Sequence, residues 1–543
     1  MKNRALKPIA VILSLVLMIS LFVPAAYADD TEETVVTFTD SGASVSGTSD
    51  GITVKGTDVK VTASGTYRFT GSCSQGTIVV KKNVTGVTLI LDNLTLSASA
   101  TAPITCNKGS EVNIVAAAGS VNTLADDQYN NDDVYTDETA YPDIENAVIK
   151  CKDGSNVVIS GTGTINVNAY GKNGVKGGYD LYKEDDEGNA TDTLLSTASL
   201  TVKEVTLNVS IKHSYKDPED TNSYDGDGIK SDKELNILSG NITVAANDDG
   251  IKSDYTLNIG TEGTDGPTIK VTKSTEGIEA ATLNIYSGNI SVYADDDGIN
   301  AANSDLSGYS FSYNQYGGYV YVSCANGDGI DSNGTINLNG GTLEVYSPSQ
   351  GDGDPLDADG GIIFGGATVL AVGHNAMMQS YTAKTPYVTF GSSSGGFPGG
   401  PGRNSMQSDN SSEAFGGNSG TALVKAGSTI AIKDSSGNTL YTATAVKDAS
   451  YIVFASAALT SGTTYTLYSN GSQVATASAT TSSSGGMQPG QPGQPGQPGQ
   501  PGQPGEDENA EQETENLFPK VIDFFSSVWS WIVSMISKIS ALF

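Results

Sequence analysis

The sequence predicts an all-β protein whose central part is a right-handed parallel β-helix, a solenoid of about nine rungs. The first observation is composition, because 64 of the 543 residues are Gly and because Thr, Asn and Ser are abundant. The second is a repeat of about 22 residues, and the third is a two-residue alternation of apolar and polar side chains within each repeat. An antiparallel sandwich would not place equivalent residues in register, and a propeller needs a repeat of about 40–50 residues.

The N-terminus has the pattern of a secretory signal peptide over residues 1–28. Three basic residues precede an apolar run from Ile9 to Val23, and the run is followed by the small-x-small cleavage pattern Ala26-Tyr27-Ala28. A membrane anchor is disfavoured because the run is short. We therefore expect a secreted, extracellular protein, in which residues 29–100 form an N-terminal cap and the first rung.

Residues 101–385 are predicted to form the β-helix. Its repeat contains a tetrad that begins at Ile104, Ile149, Val175, Ile229, Ile251, Ile278, Ile299, Ile330 and Leu356. In a stacked solenoid, the first and third residues of each tetrad face the narrow core. We therefore expect Ser231 and Ser253 to be neighbours in one parallel sheet. Cys106 and Cys151 share the inward third position, so a disulfide and a stacked pair of free thiols both fit the sequence.

The C-terminal part departs from this repeat. The predicted segments are a Gly/Ser/Pro-rich loop at 386–420, a C-terminal β cap at 421–480, and a Gln-Pro-Gly and acidic linker at 481–516. Residues 517–543 form an amphipathic helix with 14 uncharged residues between Asp523 and Lys538. A spanning helix needs about 20 residues, so we expect contact with a membrane or envelope surface. A tilted span and a helix packed on the protein stay open.

The charge balance excludes several functions. The chain has 29 basic and 61 acidic residues, a net charge of −32, which would repel a nucleic-acid backbone. It has two His and three Arg, so metal sites rich in His, Ser-His-Asp triads and arginine clamps for phosphate are disfavoured. Such a chain is suited to multivalent cations.

Acidic residues recur two positions before the tetrad in six consecutive repeats. They are Asp227, Asp249, Glu276, Asp297, Asp328 and Asp354. In a stacked solenoid they would lie about 4.8 Å apart and repel one another unless a cation lay between them. Ca²⁺ accepts about six to eight oxygen ligands in irregular geometry, so the predicted cofactor is Ca²⁺. Its predicted ligands are Asp225, Asp227, Asp248, Asp249, Asp296, Asp297, Asp328, Asp331 and Asp357. The alternative is that Asp-Gly simply makes tight turns, although the double and triple acids exceed that need.

A cluster of tyrosines in the insertion 303–319 suggests a contact surface for sugars. Its members Tyr309, Tyr313, Tyr316 and Tyr319 are the predicted carbohydrate-binding residues. Exposed Tyr rings can stack on the apolar C–H faces of sugar rings. The alternative for any one of them is that Tyr simply favours strands.

Several of these motifs together resemble a known family. They are the tetrad segments DGIKSD, DGINAA and DGIDSNG, the strands LNIxSGNIxV, and the segment IIFGGATVLAVGHNAMMQS at 362–380. They resemble the clostridial secreted carbohydrate-binding proteins with a pectate-lyase-like parallel β-helix, over about residues 35–475. The resemblance implies bound calcium and binding of plant cell-wall polysaccharide, cellulose and/or polygalacturonate, without established catalysis.

Two alternatives remain. The first is a calcium-dependent, pectate-type lyase in which Lys230 or Lys252, with a lowered pKa beside calcium, abstracts the C5 proton of the sugar. An Arg base has no candidate, since Arg68 and Arg403 lie outside the repeats. A hydrolase of the polygalacturonase type is disfavoured, because Gly373-His374-Asn375 does not supply the Gly-His-Gly that it needs. The second alternative is a structural cell-surface protein.

Overall fold

The computed structural model describes residues 33–178, 182–184, 190–194, 198–215, 225–306, 308–349, 353–375, 379–391 and 422–483. Throughout these ranges the regular secondary structure is β-strand, so the prediction of an all-β protein is confirmed. The described ranges contain no helix with the length and apolarity that crossing a membrane requires. The predicted signal peptide, most of the 481–516 linker and the predicted helix at 517–543 lie outside the described residues.

Forty strands are described, in chain order. The first seven are β1 (Thr34–Thr39), β2 (Gly42–Ser46), β3 (Ile52–Lys55), β4 (Asp58–Val61), β5 (Gly65–Cys73), β6 (Thr77–Val80) and β7 (Val87–Ser97). The next eleven are β8 (Ile104–Cys106), β9 (Glu111–Ala116), β10 (Val121–Ala125), β11 (Ala147–Cys151), β12 (Asn156–Gly161), β13 (Thr164–Ala169), β14 (Asn173–Gly177), β15 (Tyr182–Glu184), β16 (Ala190–Leu194), β17 (Ser199–Val202) and β18 (Thr206–Ile211).

The remaining repeats contain strands of similar length. They are β19 (Ile229–Ser231), β20 (Glu234–Ile237), β21 (Asn241–Ala245), β22 (Ile251–Ile259), β23 (Thr268–Lys273), β24 (Ile278–Ile285), β25 (Asn289–Ala294), β26 (Ile299–Ala301), β27 (Ser312–Gln315), β28 (Tyr319–Cys324), β29 (Ile330–Ser332), β30 (Thr335–Leu338), β31 (Thr342–Tyr346), β32 (Ile362–Phe364), β33 (Thr368–Gly373) and β34 (Tyr381–Ala383). The last six are β35 (Tyr387–Gly391), β36 (Thr429–Lys433), β37 (Thr439–Thr444), β38 (Tyr451–Ala455), β39 (Thr464–Ser469) and β40 (Ser472–Ser478).

Most strands belong to one large, mainly parallel sheet system with three ladders. The first ladder joins β4, β6, β8, β11, β14, β19, β22, β24, β26 and β29, and ends in a bridge to Leu356. The second includes β9, β12, β17, β20, β22, β24, β27, β30, β32 and β34, and the third includes β10, β13, β18, β21, β23, β25, β28, β31 and β33. Ser231 pairs with Ser253 in the first ladder, as the repeat predicts.

The core is filled by the predicted inward positions. Ile229 and Ser231 are fully buried, while Lys230 between them is partly exposed, and the same alternation holds in later repeats. Cys106 and Cys151 are buried neighbours, and both are free thiols, which decides between the two alternatives that the sequence left open. Parallel pairing also extends towards the N-terminus, since β1 pairs with β5 and β4 pairs with β6.

The C-terminal strands pair differently. β36, β37, β39 and β40 form a four-stranded antiparallel sheet, and β38 pairs antiparallel with both β33 and β35. They share a second apolar core with outward residues of the third ladder, including Tyr346, Leu370 and Val372. Strand β35 occupies residues that the sequence analysis assigned to the Gly/Ser/Pro-rich loop, because Val388 and Phe390 are buried against β38.

Candidate functional site

The six predicted acids form one continuous row. A Gly follows each of the first five acids, and its backbone N–H donates to the carbonyl oxygen of the acid in the next repeat, as from Gly250 to Glu276 and from Gly298 to Asp328, both at 2.9 Å. The Gly is required by this close stacking, because a Cβ on Gly250 would lie 2.5 Å from the carbonyl oxygen of Gly277. The close stacking of the repeats therefore explains the Gly of the Asp-Gly pattern, independently of any role of the Asp as a ligand.

Some carboxylates of this row hold the backbone of the next repeat. Asp297 Oδ1 accepts a hydrogen bond from the backbone N–H of Asp328 at 2.6 Å, and Asp328 Oδ1 accepts one from Asp354 at 2.5 Å. Asn173 does the same for Asp227 at 2.9 Å. A neutral amide oxygen can therefore fill this role, and hydrogen bonding alone does not explain why acids are used.

A second row, here called the outward row, lies one residue after the first position of each tetrad. Its members in register are Lys150, Lys176, Lys230, Lys252, Glu279, Asn300 and Asp331, and Asp357 follows the bridge at Leu356. The row changes from basic to acidic along the first ladder. We call the members of this row from Lys150 to Lys252, with the acids beside them, the lysine segment. The members from Glu279 to Asp357, with the acids beside them, are the acid segment.

In the lysine segment, the acids are neutralised by the chain itself. Lys252 Nζ lies 2.8 Å from Asp249 and 3.0 Å from Glu279, and Lys230 Nζ lies 3.5 Å from Asp227. Burial alone would lower the pKa of Lys252, but Asp249 and Glu279 outweigh it and raise the pKa well above its usual range. The pKa of Lys230 is raised in the same way, burial being outweighed by Asp254 and Asp227. In the chain by itself, neither lysine therefore has the lowered pKa that the lyase hypothesis requires, and a role as a base beside calcium stays a prediction.

Two groups of three acids adjoin these lysines. Within each group, one carboxylate oxygen per residue lies within 4.8 Å of the others; the groups are Asp227, Asp248 and Asp249, and then Asp249, Glu276 and Glu279. Burial and a hydrogen bond with Glu279 raise the pKa of Glu276 to about 10. Glu279 was missed by the sequence analysis, although it occupies the tetrad position of Lys252, which is visible in the sequence.

A third group, Asp328, Asp331 and Asp357, lies in the acid segment. Its carboxylates also lie within 4.8 Å of one another, and all are partly buried. Burial raises the pKa of Asp328 to about 8 and that of Asp331 to about 7, and the charged groups acting on Asp331 are the carboxylates of Asp297, Asp357 and Asp359. Over the described part of the chain, no Lys or Arg forms an ion pair with this group.

The other predicted ligands are placed elsewhere. Asp225 pairs with Lys172 at 3.5 Å. Asp296 is exposed, and Asp297 is partly buried and accepts the N–H of Asp328. Neither belongs to one of the three acid groups found among the described residues. Among the described residues, the predicted calcium ligands therefore contribute to two acid groups that lie beside lysines and to a third that forms no ion pair with a lysine.

The tyrosine prediction is wrong for Tyr313. Its side chain is fully buried in the core, because the alternation of β27 turns Tyr313 and Gln315 inward, where their side chains are hydrogen-bonded. Tyr309 is half-buried, and its hydroxyl shares a hydrogen bond with Thr282. Tyr316 and Tyr319 are exposed, at 48% and 37%.

Lys150 differs from the other lysines of the outward row. It is 5% exposed, lines a cavity of about 250 Å³ together with Lys108, Glu145 and Lys152, and donates from Nζ to the carbonyl oxygen of Gly178 at 2.9 Å. Burial, reinforced by the charge of Lys176, lowers its pKa to about 8. The sequence placed this residue on the exposed face, and the structure places it under the loops that follow neighbouring repeats.

Comparisons with known proteins give a partial likeness. Residues 55–187 match the model of a family described as carbohydrate-binding domain-containing protein. Among solved structures, a polysaccharide lyase-like protein from C. thermocellum, in a gadolinium derivative, has 22% identity and a TM-score of 0.38 over 56% of this chain and 96% of that chain. No curated protein matches the sequence.

Proposed function

We propose that this protein is a secreted, calcium-dependent carbohydrate-binding protein whose partner is plant cell-wall polysaccharide, cellulose and/or polygalacturonate. The observation that carries the proposal is the match of residues 55–187 to a carbohydrate-binding family. Exposed tyrosines on the same chain, including Tyr170 at 46%, offer apolar ring faces to sugars. The proposed architecture is one right-handed parallel β-helix formed by the three ladders, with residues 421–480 as its C-terminal cap.

The group Asp328, Asp331 and Asp357 is the proposed calcium site. Three carboxylates within 4.8 Å supply the hard oxygen donors that Ca²⁺ prefers, and carbonyl oxygens of the turns or of a ligand can complete the coordination. The residues fit a cation because no lysine of the described ranges forms an ion pair with them, whereas Asp249 is already paired with Lys252. A cation bound here would link this negatively charged protein to the carboxylates of polygalacturonate.

The test is retention of the mature chain on insoluble cellulose and on immobilised polygalacturonate, with calcium and with chelator. We expect retention on polygalacturonate that calcium supports and chelator abolishes. Absorbance at 235 nm is followed in the same samples, since a lyase forms unsaturated products. Failure to bind either polymer would contradict the proposal and favour a structural cell-surface protein.

A lyase remains the second candidate because of Lys150. An amine whose pKa is lowered to about 8 can serve as a general base near neutral pH, and this one lines a cavity with further lysines that would attract a uronate. If absorbance at 235 nm rises with polygalacturonate, Lys150→Met should abolish the rise, whereas Lys230→Met should not. No rise with the wild-type chain would exclude this candidate.

Surface attachment through residues 517–543 is also a proposal. The expected amphipathic face would lie in the interfacial layer, and the 481–516 linker would extend the strands outward. A chain truncated after Gly505 should lose sedimentation with liposomes that the mature chain shows. Equal behaviour of the two chains would contradict attachment.

A further inference from the structure

An open cleft of about 620 Å³ lies where strands of the third ladder end. None of its lining residues belongs to the predicted tyrosine cluster. The cleft is lined by Asp126, Asp127, Tyr129, Tyr170, His213 and Tyr215, among others. These residues directly follow three consecutive strands of the ladder, β10, β13 and β18, which pair in register. Three successive repeats therefore each contribute one wall of the cleft.

Aromatic rings dominate this cleft and the loop beside it. Tyr129 stacks on Tyr141 with ring centres 5.5 Å apart and planes 12° apart, and Tyr135 packs edge-on against both rings. His213 stacks on Tyr215 at 5.1 Å. Burial and a hydrogen bond with Tyr215 raise the pKa of Tyr135 to about 12. Beside them, the side chain of Tyr170 is 46% exposed.

The polar residues of the cleft fix the backbone of these aromatic residues. Asp126 Oδ1 accepts hydrogen bonds from the backbone N–H groups of Tyr170 and Gly171, at 2.6 and 3.1 Å. Asp127 Oδ1 accepts one from Tyr129 at 3.1 Å. A platform whose backbone is already held loses little conformational entropy when it binds a ligand.

His213 completes the arrangement. Its Nδ1 accepts the backbone N–H of Tyr215 at 3.3 Å, and its Nε2 lies 2.9 Å from the carbonyl oxygen of Lys172. With Nε2–H as the donor, the neutral ring satisfies both contacts. The His213 ring thus holds the backbone of Tyr215 in position.

We propose that this cleft binds a neutral pyranose glycan, with sugar rings stacked on Tyr170 and Tyr129. The inference rests on the proposed carbohydrate-binding function and assigns a binding surface to it. Both tyrosines lie within residues 55–187, the segment that carries that function, whereas Tyr316 and Tyr319 lie outside it. The ligand is neutral because the lining sets two carboxyl groups, Asp126 and Asp127, against one lysine, Lys212, so the cleft has no excess of positive charge with which to hold a polyuronate. Hydroxyls of the sugar would meet the side chains of Gln128, Lys212 and Ser214 at the rim.

Matched variants of the mature chain test this. Tyr170→Ala is compared with Tyr316→Ala, because the two side chains are exposed to nearly the same degree, 46% and 48%. Binding of a soluble cello-oligosaccharide, six sugars long, and of an oligogalacturonate is measured by titration calorimetry. Loss of one stacked ring weakens binding by about tenfold, so we expect that loss for Tyr170→Ala with the neutral ligand. We expect no change for Tyr316→Ala, or for Tyr170→Ala with the oligogalacturonate.

The outcomes separate the inference from the proposed function. If the wild-type chain binds the neutral ligand and Tyr170→Ala and Tyr129→Ala bind it equally well, the cleft is not the site, although polysaccharide binding stands. If the wild-type chain binds the oligogalacturonate alone, or Tyr170→Ala loses that ligand, the neutral class is wrong. If the wild-type chain binds neither these ligands nor the two polymers, both proposals fail. Unchanged melting temperatures of the variants confirm that they are folded.

Discussion

The lysine segment and the acid segment of the outward row occupy equivalent positions in successive repeats. They differ in whether a lysine offsets the charge of the buried acids. In the lysine segment, Lys252 lies between Asp249 and Glu279 and offsets part of their negative charge from within the chain. In the acid segment, Asp331 and Asp357 stand where the lysines stood, and Asp328 lies beside them. An acid group without an internal cation is either protonated or bound to an external one. The comparison therefore favours the acid segment as the end of the ladder at which we propose that calcium binds.

The largest expected effect is the loss of calcium binding when the acid segment is neutralised. Asp331→Asn combined with Asp357→Asn removes two negative ligands, so the affinity for Ca²⁺ should fall by about a hundredfold or more. At a Ca²⁺ concentration of about 100 Kd, the wild-type chain should gain about 2.7 kcal/mol in free energy of unfolding, and the double variant should gain about 0.4 kcal/mol or less. Melting curves with calcium and with chelator measure it. Asp227→Asn with Asp248→Asn is the control in the lysine segment; an equal loss there would contradict the comparison.

Next in size is the removal of the internal cation. Lys252→Met leaves Asp249 and Glu279 without their partner, which for this mainly buried group should cost about 2 kcal/mol of stability. Because this change makes the lysine segment resemble the acid segment, added calcium should restore part of the loss. Denaturant unfolding with and without calcium measures both the loss of stability and its partial recovery. Lys252→Arg keeps the charge and serves as the control; a Lys252→Met variant as stable as wild type would show that the pair contributes little.

A further expected effect concerns the pH dependence of stability. In the folded chain without calcium, Asp328 and Asp331 have pKa values raised to about 8 and about 7, against about 4 in the unfolded chain. The folded state then binds more protons between about pH 4 and pH 8, so the free energy of unfolding falls as the pH rises through this range. Each carboxyl contributes at most about 1.4 kcal/mol per pH unit. Calcium keeps the carboxyls ionised in the folded state and should flatten the slope. Stability that rises from pH 5 to pH 8 in chelator would contradict this.

The smallest expected effect is that of Asp297→Asn. The amide oxygen of Asn can still accept the N–H of Asp328, as Asn173 accepts that of Asp227. The free energy of unfolding should therefore change by less than about 0.5 kcal/mol, whereas Asp297→Ala leaves the donor unpaired and should cost about 1–2 kcal/mol. Equal losses in both variants would show that the charge of Asp297, and not its hydrogen bond, is what the fold requires.

The sequence was sufficient for the parts of the fold that depend on local pattern. The pairing of Ser231 with Ser253 and the burial of Ile229 follow from a repeat of constant length and from the alternation within it. Tyr313 was misplaced because it follows a long polar insertion, after which the register of β27 is set by pairing with β24 and not by any local signal.

The candidate site was predictable only where its contacts are local. The contact of Asp249 with Lys252, three residues apart, can be read along one strand, but the contact of Lys252 with Glu279 depends on the stacking of repeats. The tyrosine cleft joins residues that follow β10, β13 and β18, and insertions of unequal length separate them in the sequence. No periodicity marks such a site, so it becomes visible only in the fold.

Calcium-dependent retention on polygalacturonate tests the central claim most directly. The mature wild-type chain, the Asp331→Asn variant and the Asp227→Asn variant are applied at equal concentration to immobilised polygalacturonate with calcium and then eluted with chelator. We predict that the wild-type and Asp227→Asn chains are retained until chelator is added, and that Asp331→Asn passes through. Retention of the wild-type chain that chelator does not reverse, or equal retention of Asp331→Asn, would contradict the claim that polysaccharide binding depends on calcium at the acid segment.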